Sequence, residues 1–263
     1  MNGSDRPLAL VTGASSGIGL HLAKQCAAHG FDLLIAADEP AIVAAADSLR
    51  APGCQVTPLE VDLATTEGVD RLYEAAGGRA VDALLANAGR GLGDAFLNQG
   101  FADVRRVIDT NITGTLYLVQ KVGRDMVNRR QGRILITGSI AGFMPGTFQA
   151  VYNGTKAFLD SFAYALRAEV ADAGVTVTCL IPGPTDTEFF ARADMLDTKL
   201  GSGKKQPPEE VAEAGFEAMM KGESDVVTGW GNKLRAALSH LMPSEALAAA
   251  HRKMAAPGSG QHG

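Results

Sequence analysis

The chain has 263 residues, enough for one large domain, and we expect a single domain over residues 1–256 followed by a flexible tail at 257–263. Hydrophobic residues make up 46% of the chain and charged residues 20%, a balance that is typical of a globular protein and argues against general disorder. The net charge of -5 gives no electrostatic reason to expect nucleic acid or an anionic membrane as a partner.

The sequence carries no targeting signal that we can identify. Its first residues have no basic stretch followed by an apolar run, so they do not resemble a secretory signal. No window approaches the roughly 18 apolar residues that a membrane helix needs. The cysteines (Cys26, Cys54 and Cys179) are far apart and outside any CxxC pattern, so we expect reduced thiols that are mostly buried. These features predict a cytoplasmic location and no membrane partner.

Short apolar runs alternate with helical stretches along the chain. The apolar runs predict strands at residues 8–11, 33–36, 56–61, 81–86, 133–137, 175–181 and 225–229. Helical spacing predicts helices from about 16 to 29 and at 41–49, 67–76, 101–128, 151–173 and 209–220. Because the strands are continuously apolar, we expect a parallel sheet covered on both faces. The alternation predicts an α/β fold: a single-domain Rossmann fold with a doubly wound parallel sheet of about seven strands.

The pattern changes after the strand at 175–181. Residues 186–207 are polar, rich in Gly and Lys and weakly periodic, which indicates a mobile loop over a substrate pocket. Residues 234–254 predict a helix in two pieces, broken by Pro243, that packs on the body or on a partner subunit.

The turn between the first strand and the first helix is rich in glycine. Gly13, Gly17 and Gly19 are spaced as Gly-x-x-x-Gly-x-Gly, with Ser15 and Ser16 between the first two. Residues without bulky side chains let the backbone approach a pyrophosphate, and the helix N-terminus offers unpaired N–H groups and a positive dipole end. The position of this turn predicts a dinucleotide site rather than a merely tight connection.

Tyr152 and Lys156 are four residues apart near the start of a predicted helix, so they lie on one face of it. A free tyrosine has a pKa of about 10, and a nearby ammonium group favours the phenolate, which brings the pKa toward the useful range. Ser139 lies just past the strand at 133–137, on the same rim as the glycine turn. Asn111 lies inside a predicted helix, where its poor propensity indicates a local irregularity. Each residue alone has an ordinary alternative, such as a surface pair, a loop hydroxyl or a buried amide.

In combination these residues resemble the short-chain dehydrogenase/reductase family. The glycine spacing and the set of Asn111, Ser139, Tyr152 and Lys156 match its pattern. Asp62 after the third strand, Asn87-Ala88-Gly89 after the fourth and Pro182-Gly183 after the sixth match it as well. The resemblance covers about residues 8–187.

The resemblance implies an oxidoreductase that transfers a hydride between a nicotinamide cofactor and a carbonyl or secondary alcohol. Asn111, Ser139, Tyr152 and Lys156 would form the catalytic tetrad, with the substrate oxygen between Ser139 and Tyr152. Tyr152 would donate the proton, Lys156 would hold the nicotinamide ribose, and Asn111 would hold a water that links Lys156 to solvent. The implied cofactor-binding residues are Gly13, Ser15, Ser16, Gly17, Ile18, Gly19, Asp38, Asp62, Leu63, Asn87, Ala88, Gly89, Tyr152, Lys156, Pro182, Gly183 and Thr185.

The end of the second strand bears on the choice between NAD and NADP. Ala37 occupies the usual acidic position of the NAD-using members, and Asp38 occupies a position where NADP-using members often carry Arg. Asp38 and Glu39 would repel a 2′-phosphate, and we find no basic residue nearby in the sequence to offset them. NAD is therefore expected, with NADP as the open alternative. The other interpretation is that both carboxylates simply begin the next helix.

Apolar residues in three segments around the predicted pocket suggest a hydrophobic carbonyl or alcohol substrate. These residues are Phe143, Met144, Phe148, Phe189 and Phe190. They have an equally good alternative interpretation as anchors of their loops. The five histidines show no metal-binding spacing, so we predict no metal.

Two other functions stay open at this point. An acyl-thioester (3-oxoacyl) ketoreductase would need a basic patch for an acidic carrier, and Lys199, Lys204 and Lys205 hint at one. A non-enzymatic NAD(P)-binding regulator would be expected to have lost part of the tetrad. The long helices at 101–128 and 151–173 resemble those that pair subunits in the family, which implies a homodimer or homotetramer.

Overall fold

The computed structural model describes residues 6–229, 231–232 and 242–261. Its centre is a seven-stranded parallel sheet with the strand order β3-β2-β1-β4-β5-β6-β7. The strands are β1 Leu8–Thr12, β2 Asp32–Ala37, β3 Val56–Glu60, β4 Val81–Ala86, β5 Gly132–Thr137, β6 Val175–Ile181 and β7 Asp225–Val227. The chain reverses its direction of winding between β1 and β4, which confirms the predicted doubly wound Rossmann fold.

Helices cover both faces of the sheet. They are α1 Gly17–Ala28, α2 Ala41–Leu49, α3 Thr66–Glu74, α4 Phe101–Ile108, α5 Thr115–Arg129, α6 Ala150–Glu169, α7 Phe189–Arg192, α8 Lys199–Ser202, α9 Pro208–Lys221 and α10 Ser244–Ala255. In the part of the chain that the structure describes, no helix is both long and apolar enough to cross a membrane.

Alternate residues of each strand enter two separate cores. Leu10 and Leu84 face one layer, where the sheet packs on α3, α5 and α6. Val11 and Leu85 face the other layer, where it packs on α1, α2 and α9. Because both faces are covered, apolar residues predominate on both, which explains the apolar runs in the sequence.

The predicted helix at 101–128 contains an irregularity. A π-helical segment at Asp109–Gly114 joins α4 to α5, so the irregularity expected at Asn111 is confirmed. The segment runs close to the turn after β3: a Cβ atom on Gly114 would lie 1.9 Å from the carbonyl oxygen of Leu63. Glycine permits this close approach of two backbones.

Residues 186–207 are more ordered than the sequence indicates. They form α7 and α8, and Thr185 pairs with Gln206 in an isolated parallel bridge. The predicted tail contacts this segment, since the N–H of Gly258 donates to Asp197 Oδ2 at 2.6 Å. Helices of four residues such as α7 and α8 are too short to produce a detectable periodic pattern of apolar residues, which is why the sequence predicted a loop.

Two expectations near the C-terminus fall partly outside the described residues. Of the predicted helix at 234–254, the structure describes only residues 242–254. Within them α10 begins at Ser244. Of the predicted tail at 257–263, residues 262–263 lie outside the described part, and the domain boundary stays a prediction.

The π-helical segment gives a stability prediction. Gly114→Ala should lower the free energy of unfolding by about 1–3 kcal/mol, because the added Cβ meets a backbone oxygen that cannot move freely. Gly123→Ala on α5 is the matched control: its Cβ would lie 3.7 Å from Ile134 Cδ1, an ordinary contact. This control should raise the free energy of unfolding by about 0.5–1 kcal/mol. Urea unfolding measures both, and equal effects of the two substitutions would contradict the close approach at Gly114.

Candidate active site

A cleft at the carboxyl ends of the strands brings the predicted site residues together. Every residue of the predicted cofactor set lines it, and so does Ser139. Asn111 is the exception, since it is fully buried beneath the cleft. These residues come from distant parts of the chain, and the parallel sheet places them on one rim because its strands all end there.

The glycine turn has the geometry of a cradle for a phosphate group. Gly13 and Gly17 have φ angles of +66° and +53°, in the left-handed region. A Cβ on Gly19 would lie 2.1 Å from the carbonyl oxygen of Gly13, so only glycine fits there. Ser16 precedes α1 without a side-chain hydrogen bond to the first turn of the helix. The N-terminal N–H groups of α1 are therefore not capped by that side chain, and the turn fits the diphosphate of a dinucleotide.

Lys156 is deeply buried on α6, and Tyr152, one turn earlier on the same helix, is half-buried. The Nζ atom of Lys156 donates a hydrogen bond to the carbonyl oxygen of Thr137 at 2.7 Å and lies 5.9 Å from the centre of the Tyr152 ring. Burial lowers the pKa of Lys156 to about 8.

Tyr152 does not meet the expectation that Lys156 lowers its pKa. Burial raises the pKa of Tyr152 to about 12, and a hydrogen bond with the Ser139 side chain opposes this rise only in part. The physical reason is that loss of water disfavours a buried phenolate more strongly than its neighbours favour it. The phenol is therefore protonated at neutral pH and placed to donate a proton.

Asn111 connects three elements through its side chain. Its Oδ1 accepts from the N–H of Arg90 at 2.8 Å, and its Nδ2 donates to the carbonyl oxygen of Arg90 and to Thr155 Oγ1, each at 3.0 Å. A Cβ on Gly89 would lie 3.4 Å from Asn111 Oδ1 and 3.5 Å from Lys156 Nζ. Asn111 and the amine of Lys156 thus both lie beside Gly89, but Asn111 does not line the cleft. Its predicted role in holding a water stays a prediction.

Asp160 is a buried carboxylate that sequence reasoning missed. It is 4% exposed, and its Oδ1 accepts from the N–H of Ser139 at 3.3 Å and from the thiol of Cys179 at 3.6 Å. Among the described residues, its Oδ2 has no hydrogen-bond partner. Burial raises the pKa of Asp160 to about 6, while the charge of Lys156 opposes the rise. The available signal was an acidic residue one turn after Lys156 on the buried face of a helix.

Arginine residues surround the carboxylates at the end of β2, contrary to expectation. Asp38 Oδ2 accepts from Arg90 Nη1 at 3.0 Å and from Arg106 Nη2 at 3.3 Å. Arg106 also pairs with Asp62 at 3.2 Å. The expectation that no basic group lies near Asp38 was wrong, because these arginines follow β4 or lie on α4 and only the fold brings them to β2.

Glu39, the next residue, also pairs with an arginine, which lies in the segment over the cleft. Its two carboxylate oxygens accept from Arg192 Nη2 on α7 at 2.9 and 3.0 Å, and Ser15 of the glycine turn donates to it as well. The hydrogen bond from Ser15 lowers the pKa of Glu39, and the pairing with Arg192 adds to this. A pair of charged groups thus joins the end of β2 to the segment over the cleft.

The other end of the cleft is apolar. Met144, Phe189 and Phe190 line it as expected, and the Phe189 ring centre is 4.9 Å from that of Tyr152. Phe143 and Phe148 do not line it: Phe143 packs against the core and Phe148 packs beside the cleft with Phe190. The interpretation as loop anchors therefore holds for these two residues.

Comparison with known proteins bears on the family of this chain. A family model described as short chain dehydrogenase matches residues 7–196. An uncharacterized oxidoreductase of Myxococcus xanthus is 32% identical over 251 residues, which cover 94% of this chain and 96% of the relative. The 3-oxoacyl-[acyl-carrier-protein] reductase FabG of Escherichia coli is 33% identical over 84% of this chain and 93% of its own length.

Solved structures agree with the family match. A short-chain dehydrogenase from Sphingobium yanoikuyae in complex with NADPH has a TM-score of 0.79 at 28% identity, over 90% of this chain and 94% of that one. A short chain dehydrogenase/reductase from Burkholderia phymatum in complex with NAD has a TM-score of 0.79 at 25% identity, over 92% and 95%. These relatives support a nicotinamide cofactor and leave its identity open between NAD and NADP.

Asp160 gives a prediction of pH dependence. Its charge opposes the lowering of the Lys156 pKa, so Asp160→Asn should bring that pKa further below about 8. A step that requires the charged Lys156 is lost as the pH rises through this pKa, so the alkaline decline of kcat/KM should move to lower pH. Profiles of kcat/KM against pH with one ketone measure the shift, and the exposed Asp172→Asn serves as control. An alkaline decline at the same pH in both variants would contradict the link between Asp160 and Lys156.

Proposed function

We propose a reaction for this chain on the premise that it belongs to the short chain dehydrogenase family and is an oxidoreductase. In this proposal Tyr152, Ser139 and Lys156 carry out the reaction on an apolar carbonyl compound or secondary alcohol. The observation that carries the proposal is the pairing of Tyr152 with Ser139 beside a buried Lys156, in the cleft that the glycine turn lines. Asn111 is a positioning residue in this scheme, because its side chain bonds to the backbone of Arg90 and to Thr155 rather than facing the cleft.

The roles follow from the protonation states. The glycine turn and Lys156 would hold a nicotinamide cofactor, which when bound would supply the hydride chemistry between carbonyl and alcohol in either direction. The hydroxyl groups of Ser139 and Tyr152 hydrogen-bond the substrate oxygen and orient it. Tyr152, whose pKa of about 12 keeps it protonated, donates its proton to that oxygen as negative charge develops. Lys156 would hold the nicotinamide ribose, and its positive charge would stabilise the phenolate that remains on Tyr152.

We propose NAD as the preferred cofactor. Asp38 uses only Oδ2 for its two arginines, and within the described residues no group donates a hydrogen bond to its Oδ1. That oxygen is available to accept from a ribose hydroxyl. Arg90 and Arg106 are already paired with carboxylates, so a 2′-phosphate would have to displace Asp38 or Asp62 to reach them.

An acyl-thioester ketoreductase is the second candidate. The similarity to the Escherichia coli 3-oxoacyl reductase favours it. Of the expected basic patch, Lys205 turns inward: its Nζ donates to the carbonyl oxygen of Gly201 and lies 5.3 Å from the centre of the Phe190 ring. Lys199 and Lys204 remain exposed to contact an acidic carrier. Reduction of acetoacetyl-CoA faster than simple aryl ketones would favour this candidate over the first.

We also retain self-association and a cytoplasmic location as proposals. Two large apolar side chains on the helices expected at an interface support self-association: Phe101 on α4 is 70% exposed and Phe158 on α6 is 42% exposed. Sedimentation of the purified protein measures the oligomeric state, and a monomer would contradict this proposal.

The cofactor proposal predicts the effect of one substitution. Asp38→Asn frees Arg90 and removes one of the two carboxylates that hold Arg106, so both can approach a 2′-phosphate and the ratio of the NADPH Kd to the NADH Kd should fall by about tenfold or more. Fluorescence titrations with each reduced cofactor measure this ratio. Asp47→Asn is the control, because Asp47 on α2 pairs with Arg50 at the surface, away from the cleft. Tighter binding of NADPH than of NADH to the unmodified protein would contradict the preference.

The proton-transfer role predicts the effect of removing one hydroxyl group. Tyr152→Phe should lower kcat by roughly 10²–10⁴-fold, since it deletes the proton donor and leaves the apolar ring in place. The Kd for NADH should change little. Tyr164→Phe on the same helix, outside the cleft, controls for loss of a hydroxyl group. Turnover retained in Tyr152→Phe would overturn the mechanism.

A further inference from the structure

His251 is a buried polar residue in the apolar part of the cleft. It lies on α10, is 3% exposed and lines the cleft that Tyr152 also lines. Its Nδ1 atom is 3.0 Å from the carbonyl oxygen of Thr147, and Thr147 Oγ1 also donates to the carbonyl oxygen of Ala248 at 2.9 Å. These two hydrogen bonds fix α10 and the imidazole ring on the segment that leads into α6.

The bond to Thr147 determines which ring nitrogen is available to a ligand. A carbonyl oxygen only accepts, so Nδ1 carries the proton and donates it. Burial lowers the pKa of His251, which favours the neutral ring. In a neutral ring with a proton on Nδ1, Nε2 is a hydrogen-bond acceptor. Within the described residues, nothing donates to it.

Gln149 is a second polar side chain at this place. It is 4% exposed, it lines the same cleft, and its amide group makes no hydrogen bond with any residue that the structure describes. Phe190, Leu200 and Met254, which also line the cleft, are apolar and offer no hydrogen-bonding side chain. The amide is therefore open to a ligand in the cleft, and a ligand that supplies a hydrogen-bond partner is favoured over one that leaves the amide unpaired.

We propose that the substrate carries, besides its reacting oxygen, a hydroxyl group that donates a hydrogen bond to His251 Nε2, with Gln149 as a further partner. The inference rests on the proposed function and narrows its substrate class to hydroxylated apolar ketones, or the diols formed from them. A carboxylate is disfavoured opposite His251, because it would meet the lone pair of Nε2 there rather than a donor.

Matched pairs of ketones that differ by one hydroxyl group test the inference. The first pair is 4-phenylbutan-2-one and 4-(4-hydroxyphenyl)butan-2-one, and the second is 2-tetralone and 6-hydroxy-2-tetralone. Initial rates with NADH and with NADPH give kcat/KM for each ketone. We expect about a tenfold preference for the hydroxylated member of at least one pair. In His251→Phe the preference should fall to about twofold or less.

Two further variants make the result specific. His29→Phe replaces an exposed histidine on the far side of the fold and should keep the preference of the unmodified protein. Gln149→Leu should reduce the preference for the hydroxylated ketone in part. If circular dichroism shows that His251→Phe does not fold, the result with Gln149→Leu tests the inference instead. A preference unchanged in whichever of these two cleft variants folds overturns the inference.

The remaining outcomes separate the inference from the proposed function. Equal rates on both members of both pairs in the unmodified protein would overturn the hydroxyl site and leave the reductase proposal standing. Absence of any reduction with either cofactor would overturn the proposed substrate class, and the inference would fall with it.

Discussion

The burial of the Lys156 amine is the constraint on which the rest of the site depends. An ammonium group out of water is stable only if neighbouring groups replace its hydration. Here the carbonyl oxygen of Thr137 at the end of β5 accepts a hydrogen bond from the amine, and the Asp160 carboxylate favours its charged form. These two groups compensate only in part, because the pKa of Lys156 falls to about 8. Lys156 is therefore cationic at neutral pH yet close to losing its proton.

The same network also positions the substrate-binding hydroxyl groups. Asp160 accepts from the backbone N–H of Ser139, and Ser139 hydrogen-bonds Tyr152, so one buried carboxylate lies behind both the amine and the hydroxyl pair. At the opposite end of the cleft, ion pairs connect different secondary-structure elements. Glu39 and Arg192 connect β2 to the segment over the cleft. Exposed ion pairs of this kind stabilise the fold by about 0–1 kcal/mol each, so their main effect is to position that segment.

Local patterns in the sequence were enough to predict the sheet, the glycine turn and the residues on the rim. Apolar runs report burial on both faces, and the rim follows from the parallel arrangement. Contacts between distant segments could not be predicted. Arg106 is 68 residues from Asp38, and His251 approaches Thr147 across 104 residues. The direction of the Tyr152 pKa shift was also missed, because the loss of water that causes it depends on packing, not on the spacing of Tyr152 and Lys156.

The most direct test of this account is the pKa of Lys156 itself. Carbon-13 NMR of protein labelled at lysine Cε, with the Lys156 signal assigned by its loss in Lys156→Met, reports the protonation of the amine. We predict that this signal titrates at about 8, because the amine is buried. A Lys156 signal that titrates near the ordinary value of 10.5 would contradict the account, since it would mean that the amine remains in water.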